Sequence, residues 1–203
     1  GLVYADKGEH DVAVDNYNRA IMLDPENEAY YFDRGLAYSV LGRASLAIVD
    51  LSKVISERPR EPAAYYYRGL IHSAKGQREL AIRDFSRAIE LDPEMAAAYT
   101  SRGFVYSEGG EYMPAIADFS RVIEITPEDA AAYYNRGTAH SSNRQYTQAL
   151  IDLTKALELD PDLTQAYIAR GFVHSNRQKY ALAVQDFSKA IDLSPKDPDR
   201  YLF

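Results

Sequence analysis

The 203-residue chain has no cysteine and no tryptophan. Without cysteine there are no disulfides, no cysteine-ligated metals and no thiol nucleophiles, although the compartment stays open. No stretch approaches the roughly 18 consecutive apolar residues of a membrane-spanning helix, so no membrane insertion is expected. Positive charge is also short: 23 Lys and Arg stand against 30 Asp and Glu, a formal net charge of −7. A general nucleic-acid binder carries a basic stripe that displaces counterions from phosphates, so no nucleic-acid partner is expected. Acidic ligands would be repelled unless a local basic pocket held them. What the chain does have is 46% hydrophobic residues and 17 tyrosines, a composition that folds.

Those residues are periodic. Glycine stands at Gly1, Gly35, Gly69, Gly103, Gly137 and Gly171, each 34 residues after the last. Proline keeps the same step at Pro25, Pro59, Pro93, Pro127, Pro161 and Pro195, and alanine at Ala13, Ala47, Ala81, Ala115, Ala149 and Ala183. An aromatic or leucine follows each alanine by four: Tyr17, Leu51, Phe85, Phe119, Leu153 and Phe187. Registers in phase over the whole chain mark a repeat architecture. Each unit reads as two amphipathic helices. YYFDRGLAYSVLG (30–42) stops at Gly42, suited to a left-handed helix end, and SLAIVDLSKVIS (45–56) follows. Pro59 and its counterparts close the second helix, Pro62 and Pro198 open a first helix, and Pro114 falls in a first turn without a kink.

The pattern resembles the tetratricopeptide repeat, with its W-x2-L-G-x2-Y, A-x3-F and P blocks. Here they read Y-x2-R-G-x2-[Y/H], as in YFDRGLAY (31–38), then A-x3-[F/L/Y], then proline, often within L-D-P as at Leu91–Pro93. Tyrosine replaces tryptophan and arginine replaces the leucine before glycine, a form that looks like a prokaryotic-type variant. The resemblance implies an all-α, right-handed α-solenoid, a superhelix of helix–turn–helix repeats. Counted from seven residues before each glycine, the full repeats are 28–61, 62–95, 96–129, 130–163 and 164–197. Residues 1–27 are then a partial repeat and 198–203 the start of a further one, so a single array over 1–203, a fragment of a longer array or of a multidomain protein, is expected. Such an array is stabilised by neighbour packing rather than by one central core.

With positions numbered 1 to 34 and the glycine at 8, a helical wheel groups 4, 8 and 11 on one side and 2, 5, 6, 9 and 13 on another. The first group holds Tyr31, Tyr65, Tyr99, Tyr133 and Tyr167, with Tyr38, His72, Tyr106, His140 and His174 at position 11. These are expected to form the buried seam, together with Tyr112, Tyr146 and Tyr180 at position 17 and the aromatics of position 24. The remaining aromatics are Phe32, Tyr66 and Tyr134 at position 5, Tyr67 and Phe203 at 6, Phe104 and Phe172 at 9, and Tyr30 at 3. All but Tyr30 lie on the second side, which the resemblance makes a concave peptide-binding groove. Alanine at position 2 (Ala29, Ala63, Ala97, Ala131) leaves room beside them, and aromatic anchors dominate many binding surfaces. The competing reading is that positions 5 and 9 pack against the next repeat's first helix. Tyr67, with Ser101 and Asn135 at its position, is the least core-like.

Arg34, Arg68, Arg102, Arg136 and Arg170 recur in phase with Asp50, Asp84, Asp118, Asp152 and Asp186. One-to-one recurrence predicts a structural arginine–carboxylate pair rather than a ligand-binding row. Ser39, Ser73, Ser107, Ser141 and Ser175 have no recurring base to activate them and read as small residues for close helix approach. The histidines stand a repeat or more apart, so no metal site or other cofactor is expected. Gly109–Gly110 reads as a turn. The family's clamp for chaperone C-terminal carboxylates needs lysines at positions 5 and 2, and neither register has one.

The expected function is non-enzymatic: an interaction scaffold holding a partner protein's peptide or helix in an aromatic, nearly uncharged groove. Its residues are Phe32, Tyr66, Tyr67, Ser101, Phe104, Tyr134, Asn135 and Phe172, and binding is expected to be only weakly salt-sensitive. Head-to-tail self-association, burying Tyr201 against another molecule, and a regulatory array attached to an enzyme are the alternatives.

Overall fold

A computed structural model describes residues 1–193. Pro195, Pro198, Tyr201, Phe203, the end of the 164–197 unit and the expected helix start at 198–203 lie outside the described residues. Twelve helices run in order through the described residues: α1 Leu2–Asp6, α2 His10–Leu23, α3 Glu28–Val40, α4 Ala44–Glu57, α5 Pro62–Ala74, α6 Arg78–Leu91, α7 Ala96–Glu108, α8 Tyr112–Ile125, α9 Ala130–Ser142, α10 Tyr146–Leu159, α11 Thr164–Asn176 and α12 Tyr180–Leu193. The protein is an all-α repeat of stacked helix pairs, odd-numbered helices leading and even-numbered ones following. It divides into two compact units, residues 1–105 and residues 106 onward. In the first, α2 packs on α3, α3 on α4, α4 on α5 and α5 on α6; in the second, α8, α9, α10, α11 and α12 pack successively.

Local chemistry sets the helix limits. Asn27 and Asp129 cap α3 and α9, their side chains accepting the amides of Ala29 and Ala131. Pro62 is the first residue of α5, where its missing N–H costs nothing. Each pair turns through a left-handed residue at position 15. Gly42 has φ +70°, its N–H donates to the Ser39 carbonyl, and the Arg43 N–H reaches back to the Tyr38 carbonyl. That is the Schellman pairing, which satisfies the free carbonyls at the helix end. Gly110 makes the same turn, whereas Arg144 and Gln178 hold it at φ 59° without being glycine.

The second helix of each pair supplies the expected core: Ala47, Ala81, Ala115 and Ala149 are fully buried, as are Leu51, Phe85 and Leu153. The first helix meets expectation in part: the glycines of position 8 are buried, and so are Tyr38 and His72 of position 11. Its other buried residues stand at positions 3 and 10, namely Ala64, Ala98, Ala132 and Ala166 with Ala37, Ile71, Val105, Ala139 and Val173. The position-4 tyrosines are half-buried instead. Small alanines let the following helix approach, while a phenol keeps its hydroxyl near a polar group. The Tyr31 and Tyr65 hydroxyls donate to the carbonyls of Pro25 and Pro59 at 3.1 and 3.3 Å. Tyr180, assigned to packing, is 63% exposed. Tyr146 at the same register packs into the cluster containing Ala166 and Val173 of α11. The position-12 serines are not buried either: Ser39 is exposed and the others are intermediate. Their carbonyls, not their small side chains, carry the recurring contact, accepting the N–H at position 15.

Candidate functional site

The arginine–aspartate row is structural and has a third member. Arg34 Nε and Nη2 donate to the two carboxylate oxygens of Asp50, both at 2.7 Å, and Nη1 donates to Asn18 at 2.6 Å. Arg68 repeats this with Asp84 and the Ser52 hydroxyl, Arg136 with Asp152 and Ser120, and Arg170 with Asp186 and Thr154. Each guanidinium also lies over the tyrosine three residues before it, 5.5 Å from the Tyr31 ring and 5.8 Å from Tyr65 and Tyr133. The hydrogen bond to Asp50 holds the Arg34 guanidinium above its ordinary pKa, and Asp152 does the same for Arg136. With both ends of the carboxylate occupied, these pairs fasten helix pairs together.

The histidines sit behind that row. His72 Nδ1 donates to Gln77 Oε1 and His140 Nδ1 to Gln145 Oε1, both at 2.7 Å. His174 stands in the same register, but Lys179 replaces the glutamine, and His174 Nδ1 is buried with no partner. Burial pushes the His174 pKa down. Among the described residues no group of three His, Asp or Glu could hold a metal, and no helix is long and apolar enough to cross a membrane.

The candidate binding residues fall in both units. In the first, α3 and α5 bring three of them together. Phe32 and Tyr67 meet edge-on with ring centres 5.8 Å apart, and Tyr67 meets Tyr66 at 5.2 Å. Tyr66 reaches the buried Phe85 ring at 6.0 Å. All three are half-buried: Phe32 and Tyr67 pack on the core of α2 to α5, so Tyr67 is more engaged than its sequence context implied. Ser101 is half-buried, and Phe104 is 46% exposed. In the second unit Tyr134 and Asn135 are half-buried, Tyr134 against the α10–α11 core, and the Asn135 carbonyl accepts from Thr138. Phe172 is 58% exposed, its ring 5.3 Å from Phe187.

Beside Phe32 is a cavity of about 240 Å³, whose apolar lining is Phe32, Ala29, Ala63 and Val54. Ala29 and Ala63 of position 2 and Phe32 of position 5 therefore border open space at this one place. The rim departs from the expected near-neutrality: Glu28, Asp33, Arg58 and Glu61 surround it. Asp33 is a charge that the aromatic pattern of this side does not indicate. It occupies position 6, where Tyr67, Ser101, Asn135 and Ala169 stand in the other repeats.

Residues 1–42 and 105–144 match the family described as TPR repeat. Residues 62–95 and 130–163 match the family described as Tetratricopeptide repeat, and so do residues 164–197. The chain is a tetratricopeptide-repeat protein. No curated protein matches it significantly. Among solved structures, this repeat protein resembles the C-terminal part of a TPR repeat-containing protein from Cytophaga hutchinsonii, at 24% identity and TM-score 0.83, over 94% of this chain and 76% of that one. It also resembles MamA (41-end) from Desulfovibrio magneticus RS-1, at 23% identity and TM-score 0.78, over 83% of this chain and 95% of the other. A third likeness is to YrrB, titled a TPR protein with an unusual peptide-binding site, at 20% identity and TM-score 0.76, over 89% and 93%. At these identities the likeness concerns the fold.

Proposed function

We propose that this tetratricopeptide-repeat protein is a non-enzymatic scaffold that holds an extended or helical segment of a partner protein. Its binding residues are Phe32, Tyr66, Tyr67, Ser101 and Phe104 in the first unit, with Tyr134, Asn135 and Phe172 in the second. One observation carries the reading: Phe32, whose ring meets Tyr67 and through it Tyr66, borders a cavity beside two alanines, where the helices' own packing leaves space unfilled. Aromatic side chains next to a pocket are the usual anchors of an interface. The fold it shares with YrrB, described as a TPR protein with an unusual peptide-binding site, supports this reading.

The test is capture of partners from a cell extract by the parent protein and by Tyr66→Ala/Tyr134→Ala, with circular dichroism showing that the variant is folded. Loss of a saturable partner in the variant is expected. Equal capture by both proteins would sink the proposal.

A second reading, self-association, is favoured by exposed apolar residues on α11 and α12. Ile168, Phe172 and Val184 are 39%, 58% and 62% exposed, while Tyr134 and Leu150 at the registers of Ile168 and Val184 are half-buried. Light scattering over a concentration series checks it, and a strict monomer at high concentration rejects it.

A further inference from the structure

The cavity beside Phe32 is apolar within and acidic at its edge. Phe32, Ala29, Ala63 and Val54 offer surface for a hydrocarbon chain. Of the four charged residues around it, Arg58 is already paired with Glu28. Among the described residues Asp33 and Glu61 enter no ion pair or side-chain hydrogen bond, and only the more distant charge of the Gly1 ammonium acts on Asp33, which leaves two negative charges without a direct partner on one small pocket. Its 240 Å³ equals the liquid volume of about eight waters. That is room for one long side chain, not for a folded domain.

We propose that this pocket receives a lysine or arginine side chain of the bound peptide. The hydrocarbon stem lies on Phe32 and Ala63, and the cationic head meets Asp33 and Glu61. The proposal rests on the groove reading above and adds the chemistry of what fills one part of it. Long basic side chains divide in this way, with the stem on apolar surface and the head at a polar edge. A guanidinium or ammonium near the Phe32 ring gains a cation–π contribution as well. Burial holds the Asp33 carboxyl above the ordinary carboxylate value, the condition of an anion short of solvation, and an arriving cation relieves it. The partner segment is therefore basic as well as apolar. An acidic segment is rejected here, where it would meet two like charges.

The experiment is selection of phage-displayed random dodecapeptides on the immobilised full chain. Affinities of the selected peptides are then measured for the parent, Asp33→Asn/Glu61→Gln, Phe32→Ala and Tyr66→Ala/Tyr134→Ala. Asp33→Asn removes a poorly solvated charge, so the fold is expected to persist, and a thermal melt checks it. The expected result is enrichment of lysine or arginine next to apolar residues. Affinity should fall about tenfold in the double carboxylate variant and decline as salt is raised. Selected peptides with no basic residue, or with full affinity for Asp33→Asn/Glu61→Gln but none for Phe32→Ala, overturn the charge assignment and leave the groove standing. Peptides that bind every variant equally, or no enrichment at all, overturn both.

Discussion

Arg136 joins two helix pairs: its guanidinium donates to both carboxylate oxygens of Asp152 at 2.8 and 2.7 Å, and to the Ser120 hydroxyl at 3.2 Å. Asp152 is almost wholly buried, so its charge depends on that arginine. Removing one partner of a buried pair leaves an uncompensated charge and costs about 3 kcal/mol. Arg136→Ala is expected to lower the thermal midpoint clearly, whereas Ser120→Ala, which spares the carboxylate, should cost about 1 kcal/mol. Denaturation of both variants against the parent checks the order.

Lys179 denies His174 the acceptor that Gln77 and Gln145 give to His72 and His140. Lys179→Gln should supply it and stabilise the protein by about 1 kcal/mol, measured by chemical denaturation. An unchanged midpoint would show that the nitrogen finds a partner in solution.

The same histidine sets a pH dependence. Burial depresses the His174 pKa below the ordinary 6.5, helped by the charges of Arg170 and Arg177 and opposed by Asp186. As pH falls below about 6.5, the unfolded chain takes up a proton that the folded chain does not, so this residue's contribution to stability declines. It is fully present above that value and lost as pH falls through the folded-state pKa. His174→Tyr, using the residue found at Tyr38 and Tyr106, should flatten the decline in a series of melts from pH 7.5 to 5.

Much of this architecture is legible in the sequence, because glycine, proline and alanine each recur for a reason that tolerates few substitutes. The arginine–aspartate pairing was readable from two rows in phase. Its third partner is less legible, because the polar row in phase with both, Asn18, Ser52, Ser86, Ser120 and Thr154, mixes residue types. The first-helix core was legible at the glycines of position 8 and less so at positions 3 and 4. Large aromatics drew attention to position 4, while the alanines at position 3 are buried because they are small. At the candidate site the aromatics of positions 5 and 6 stand out in the sequence, while their partial packing against the core, as at Phe32, Tyr66 and Tyr67, does not. Asp33 was missed as a lone charge among aromatic and neutral residues.

Arg144 and Gln178 occupy the left-handed position that Gly42, Gly76 and Gly110 fill in other repeats. A side chain there is strained, by about 1 kcal/mol for a single residue. Arg144→Gly and Gln178→Gly should each stabilise modestly, by about 0.5 kcal/mol after the added flexibility of the unfolded chain. Equilibrium denaturation of the double variant gives the summed effect.

Gly69 tests close packing. A Cβ there would stand 2.8 and 2.9 Å from two carbons of the fully buried Phe85 ring. Gly69→Ala should destabilise by about 2 kcal/mol despite alanine's better helix propensity. At Gly35 the nearest atom is Leu51 Cγ at 3.2 Å, and the same change should cost less. Parallel thermal melts compare the two.

Arg34, Arg68, Arg136 and Arg170 each find one partner 16 residues earlier and the other 16 residues later. A duplication or deletion of one whole 34-residue block therefore returns every arginine to an equivalent pair of partners, wherever the cut falls. Gene rearrangement can lengthen or shorten such a chain by whole repeats without inventing a joint, while a cut that breaks this step within the helices separates an arginine from its buried aspartate.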